Sequence, residues 1–399
     1  MRKVVIVSAV RTPVGKMGGA LSTVPARNLG SLVIRESLSR GGVSPEIVDE
    51  VIFGCVLQAG LGQNIARQCS LDADIPQRVP AFTVNNVCGS GLKCVNLAAA
   101  LIAAGEADVI VAGGTENMSQ APYVLKNARF GYRMNNGELV DSMVNDALWD
   151  AFNDYHMGIT AENVAEKYGI TRLQQDQFAA ESQHKCQEAL ENGAFSAEIV
   201  SVTYSTRKGT VTVDHDEGPR ANVTVESISG LRPAFKPDGT VTAANASGIN
   251  DGAAALVLMS EEKAQELGIT PLAEYVAGCS VGVDPATMGL GAGYAAKALF
   301  KKTGLTADDM TLIEANEAFA AQSIVSASIG GWDSAENLKK LNVNGGYRSG
   351  ASGRCQRCPY SGNAYSRSFC SRRWKRNRNP LRGRRHGRGN YGRYGKKII

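Results

Sequence analysis

No aspartate or glutamate follows Glu336 in this 399-residue chain. The 53 residues from Tyr347 to Ile399 hold 13 Arg and 3 Lys, a net +16. Residues 1–346 hold 27 basic against 38 acidic residues, a net −11, so the overall +5 averages two unlike parts. A split this sharp marks either an appended nucleic-acid-binding tail or a stretch never selected to fold with the rest. No apolar run reaches the length of a membrane span on this reading. The opening MRKVVIVSAVRTP has only seven residues between Lys3 and Arg11 and no small-residue cleavage pattern, so a buried first strand is expected rather than a signal peptide. The nine cysteines are scattered with no secretory segment, which points to reduced thiols in a cytoplasmic protein. Gly113 and Gly114 lack GxGxxG spacing, which argues against a dinucleotide fold.

What is present is an α/β pattern. Val4–Val7, Val51–Cys55, Ala107–Ala112, Ala254–Met259 and Thr311–Ile313 read as buried strands. Ser90–Ala104, Thr171–Glu191 and Ser260–Leu267 read as helices. Strand, turn, helix and strand in Phe82–Ala112 imply a right-handed crossover and a largely parallel sheet. Ser119–Asn250 is more polar and reads as a loop-rich insertion. PLAEYVAGCSVGVDP faintly echoes VVIVSAVRTPVG, a hint of two related halves.

Cys88, in FTVNNVCGSGLKCVNLAAALIAAG, falls at a strand-to-helix seam. The first amides of a helix and its positive dipole end favour a thiolate there. The small residues of CGSG let a carbonyl approach the backbone, whose N–H groups can hold an oxyanion. The competing reading is a buried apolar cysteine at a tight turn. Cys94, inside the helix, reads as core. NEAFAAQ, beginning at Asn316, puts an amide and a carboxylate at another strand-to-helix turn, and VTAANASGINDGAAALVLMS supplies a Gly/Ser/Asn-rich loop suited to a pantetheine-like arm.

Together these strings resemble the thiolase family. VNNVCGSG is similar to its acyl-accepting cysteine motif and NEAFA to its asparagine motif. YHMGITAENVAEKY, KPDGTVTAANASGINDGAA and Asn342–Gly346 match further blocks in order, and ARFGYRMNNG looks like the biosynthetic branch, the acetyl-CoA acetyltransferases. The resemblance runs to Gly346; at 292 the family usually has Pro where this chain has Ala. It implies two related βαβ-type halves in a layered αβαβα arrangement: residues 1–118 with 251–270, a 119–250 loop domain for coenzyme A and oligomer contacts, and an incomplete 271–346 half. It implies that two acetyl-CoA condense to acetoacetyl-CoA and CoA in a homotetramer, with thioesters as substrates and no metal or other cofactor. Cys88 would be the nucleophile, its N–H part of an oxyanion hole, and Asn316 would hold a water at the enolate. His156, Met157, Arg220, Ser227, Phe235, Ala243, Ser247, Ala318 and Phe319 would line the coenzyme A channel, with Arg220 near the nucleotide; read alone, His156 is a surface or core histidine. The rivals are a degradative 3-ketoacyl-CoA thiolase and an inactive scaffold whose tail binds nucleic acid.

Two loops required by the resemblance are missing: a GHPxGASG loop with the activating His, and a CxGGG loop with the cysteine that moves the α-proton. The arginines with Gly, Tyr and Trp in the tail resemble an RNA-binding segment. Cys355, Cys358, Cys370 and His386 are poorly spaced for zinc. A lost reading frame explains the tail better. Gly346–Gly353 can be written GGC TAT CGC TCT GGG GCA TCC GGT; one base later the same letters read AIALGHPV. With the same offset Pro380–Gly389 yields LCVGGGMGV, and Gly395–Ile399 yields Glu, Arg, Lys and a stop. In that frame the His stands at Ser352 and the Cys near Arg382. Nucleic acid and membrane are not expected partners.

Overall fold

The computed structural model describes residues 1–346 in full and, beyond them, only backbone strands at 354–355, 358–359, 368–373 and 396–398. The strands that frame the site are β1 (Val4–Arg11), β2 (Glu50–Gly54), β3 (Ala81–Val84), β4 (Val109–Asn117), β5 (Asn250–Ser260), β6 (Ala273–Tyr275) and β7 (Leu312–Ala315). The helices are α1 (Ala26–Gly41), α2 (Ile65–Asp72), α3 (Ser90–Ala104), α4 (Met157–Tyr168), α5 (Arg172–Glu191), α6 (Gly291–Thr303) and α7 (Ala320–Gly330). Thr171 and Gln174 form a reciprocal capping box at the start of α5. Gly105, left-handed at φ 87°, ends α3.

The expectation of a largely parallel sheet is corrected. Among these strands the order runs β6, β1, β5, β4, β2, β3, with β4–β2–β3 parallel. β1 with β5, β5 with β4, and β6 with β1 are antiparallel. The chain leaves β4 into the long 119–250 segment and re-enters the sheet at the same end, so β5 runs back along β4. Asp251 therefore pairs with Asn117, and Met259 with Val109. Gly113 is where these backbones crowd, since a Cβ there would lie 2.1 Å from the Ala254 carbonyl oxygen. That is the role of Gly113 in the Gly113–Gly114 pair.

Period-two alternation sorts the buried side chains. Val5 and Val7 of β1 join Leu29, Val33 and Ile34 of α1 on one face. Val4 and Ile6 join Val95, Ala98 and Ile102 of α3 on the other, with Cys94 in that core as expected. Each fully buried aliphatic side chain contributes roughly 1.5–3 kcal/mol. In the second half Leu299 and Phe300 of α6 pack with Ile313 of β7 and the buried Trp332.

Val87–Ala104 corrects the expectation about apolar runs. These 18 residues reach a mean hydropathy of 1.6, enough for a membrane span, yet half of the stretch is buried as the core helix α3. The 119–250 segment divides in character. Residues 125–139 are largely exposed and irregular, whereas α4, α5 and the Val202–Thr206/Gly209–Val213 hairpin are regular.

Candidate active site

Cys88 is buried (6% exposed) just past the carboxyl ends of the parallel strands β2, β3 and β4. It immediately precedes Gly89, the N-cap of α3. Ahead of it Val87 takes a left-handed φ of 45°, rare for a β-branched residue. The Val87 carbonyl accepts from Ser90 N at 3.0 Å, closing a tight turn around the thiol. Both sequence readings of Cys88, nucleophile and buried turn residue, agree with its burial and with its position ahead of a 15-residue helix.

A second group of expected residues converges on the start of α7. His156 caps α4, its Nδ1 accepting from Gly158 N at 3.0 Å. Its ring stacks on Phe235 at 4.7 Å between centroids, and Phe235 meets Phe319 edge-on at 6.2 Å. Burial lowers the His156 pKa below the ordinary imidazole value, so near neutrality the ring offers a neutral, half-buried face. Met157, beside it, opens α4 half-buried. Ala318 and Phe319 are buried with Ala161 and Val241. Ser247 N donates to Ala318 O at 2.8 Å, and Ala320 N donates to Asn245 O at 3.0 Å, so the Gly/Ser/Asn-rich loop is joined to the NEAFA turn. Asn316 follows β7 directly, half-buried in that turn.

Arg220, Ala243 and Ala244 line a groove of about 360 Å³ with Lys16, Gln183 and Ile228. Arg220 is exposed; Ser227, also exposed, lies outside the groove's lining and caps the short Val225–Ser229 helix with Thr224. The groove is lined by Lys16, Arg220 and Glu217 together with small apolar residues, which suits an extended ligand with a charged end.

Sequence reasoning missed the buried acids that hold these loops. Glu162 accepts from Thr240 N and Val241 N at 2.9 and 2.8 Å, fastening the 239–248 loop to α4. Asp176 Oδ1 accepts from Asn245 Nδ2 at 2.9 Å. Glu317 accepts from Ser182 Oγ at 2.6 Å, and Gly346 N donates to Ser182 Oγ at 3.0 Å. Asn342 Nδ2 also donates to Glu317. The available signal was a carboxylate inside an otherwise apolar helix or turn. The tail residues Ser352, Cys355, Cys358, Cys370, Arg382 and His386 lie outside the described side chains. No cluster of metal-ligating side chains occurs among the described residues.

Comparison with known proteins places this geometry. A model described as the thiolase N-terminal domain matches residues 4–262, and one described as the thiolase C-terminal domain matches 269–351. The acetyl-CoA acetyltransferase of Syntrophomonas wolfei is 57% identical over 347 residues, covering 86% of this chain and 87% of that protein. That of Cupriavidus necator is 55% identical over 347 residues, covering 87% of each. The crystal structure of the Bacillus anthracis acetyl-CoA acetyltransferase superposes with a TM-score of 0.84 at 43% identity, covering 88% of this chain and 87% of that one.

Proposed function

This chain belongs to the thiolase family and has its fold, and we propose that it is an acetyl-CoA C-acetyltransferase working through a thioester on Cys88. The observation that carries this reading is the placement of Cys88 beneath the amino end of α3, at the open ends of three parallel strands. In the first half-reaction the Cys88 sulfur attacks the acetyl carbonyl, the carbon–sulfur bond to coenzyme A breaks, and coenzyme A leaves with the thiol proton. The backbone amides at CGSG stabilise the oxyanion between these events. In the second, another acetyl-CoA loses an α-proton and its carbon attacks the acetyl-Cys88 carbonyl. Acetoacetyl-CoA departs and the proton returns to the Cys88 sulfur. Asn316 holds a water against the enolate oxygen.

Coenzyme A runs past Ala318, Phe319, Ser247, Met157 and the His156–Phe235 stack toward Ala243, Ser227 and the Arg220 guanidinium, which meets the nucleotide phosphates. Its thioesters are the only cofactor-like molecules in the reading, which also places a homotetramer in the cytoplasm. The names of the relatives at 55–57% identity favour this activity over longer-chain degradation and over a nucleic-acid-binding scaffold.

The written tail carries neither the His nor the second-Cys loop. The relatives' match covers 347 residues and the second family match ends at 351, close to where the offset reading begins. We read residues 347–399 as out of frame. The absent groups each supply on the order of 10²–10⁴ in rate, and one of them activates Cys88, so both turnover and rapid acylation of Cys88 belong to the in-frame chain. Thiolysis of a 3-ketoacyl-CoA series by the in-frame chain tests the substrate. Preference for acetoacetyl-CoA supports the reading, and efficient turnover of long chains contradicts it.

A further inference from the structure

We propose that Asn85 and Glu116 are positioning residues for Cys88, acting through the backbone of Val87. The inference rests on the reading of Cys88 as the acyl acceptor.

Val87 sits at φ 45°, a conformation that persists for a β-branched residue only where its surroundings enforce it. Its N–H donates to Asn85 Oδ1 at 3.0 Å. Its carbonyl accepts from both Ser90 N and Ser90 Oγ, and Ser90 Oγ in turn accepts from Asn86 N at 2.9 Å. Ser90 cannot retreat, because it abuts the end of β2 so closely that a Cβ on Gly54 would lie 2.7 Å from the Ser90 Cβ. Both peptide groups of Val87 are therefore clamped, and the direction in which the chain presents Cys88 is fixed by those clamps.

The other end of the Asn85 amide reaches the 55–57 turn, where Nδ2 donates to Val56 O at 3.4 Å. That turn hangs on Glu116, which is 1% exposed at the end of β4. Its carboxylate accepts from Val56 N at 2.8 Å and Leu57 N at 3.1 Å, and the Cys55 Sγ lies 3.7 Å away. The path from Glu116 through Val56 and Asn85 to Val87 is continuous, each step a hydrogen bond with a defined donor. None of these side chains needs to touch substrate for the path to act.

The chemistry explains the residue types. Asn offers an acceptor to Val87 N–H and a donor to Val56 O from two different atoms of one planar amide, which a single hydroxyl oxygen does not. A carboxylate at 116 offers acceptors to two neighbouring amides, whereas Gln would turn an NH₂ toward one of them.

The test measures iodoacetamide alkylation of Cys88 in the in-frame chain, by peptide mass spectrometry, with the half-buried Cys279 as internal reference. Asn85→Ala should slow Cys88 alkylation by about tenfold, as a small misplacement of a reacting group does, and leave Cys279 unchanged. Asn85→Asp keeps the acceptor for Val87 N–H and should recover most of the rate. Glu116→Gln should slow Cys88 with Asn85 intact. Wild-type reactivity in Asn85→Ala, no recovery in Asn85→Asp, or parallel acceleration at Cys279 overturns the proposal. If Glu116→Gln fails to fold, the two Asn85 variants decide. An inert Cys88 in the unsubstituted chain overturns the acyl-acceptor reading instead.

Discussion

His156 lies nearly parallel to Phe235, the planes inclined by 20°. Burial depresses the His156 pKa, so its neutral form is favoured in the fold. Its contribution to stability is present above about pH 6.5 and is lost between there and the lower folded midpoint. Phe235→Ala opens the ring to water and should move the imidazole midpoint up toward 6.5, as measured by NMR titration. An unmoved midpoint means another group buries the ring.

Glu116 titrates with the opposite sign. Burial raises its pKa to about 7, against the pull of the Val56 and Leu57 amides. A raised carboxylate favours the folded state at low pH, and that advantage is lost as pH rises from about 4.5 through about 7. Urea denaturation across this window should show stability falling with pH from this group, and a shallower slope in Glu116→Gln.

Arg11 is buried between Glu198 (2.8 Å) and Asp216 (2.6 Å), and Asp216 also accepts from Val14 N at 2.9 Å. Arg11→Met leaves two buried carboxylates without their cation and should cost roughly 3–5 kcal/mol by urea titration. A loss below about 1 kcal/mol would show that both acids find water.

The tail makes a prediction at the level of the gene. DNA across codons 345–399 should encode AIALGHPV and LCVGGG one base out of the written frame. The in-frame chain should exceed the written chain in acetoacetyl-CoA thiolysis by at least about 10². Codons that cannot spell those loops would remove the frame explanation.

Much of the framework was legible because local signals carried it. Ser90–Ala104 has an apolar run closed by a left-handed glycine, and its limits match the reading. The strands at Val4, Val51 and Ala254 extend beyond their apolar cores but stand where expected. Strand direction was not legible, since β5 takes its sense from where the chain returns after 119–250, not from its own residues. The acids that hold the site loops were hidden for a similar reason. Glu116 meets Val56, and Glu162 meets Thr240, only after distant segments pack. The strand-to-helix seam brought out Cys88, and the resemblance gave Asn316 its role; Glu116 and Glu162 had no local pattern.

The central claim is that Cys88 accepts an acetyl group. Incubation of the in-frame chain with acetyl-CoA, followed by acid quench and peptide mass spectrometry, should place a thioester-linked acetyl on the Cys88 peptide, removable by coenzyme A and absent in Cys88→Ala. An acetyl group found only on other residues, or unchanged in Cys88→Ala, would contradict it.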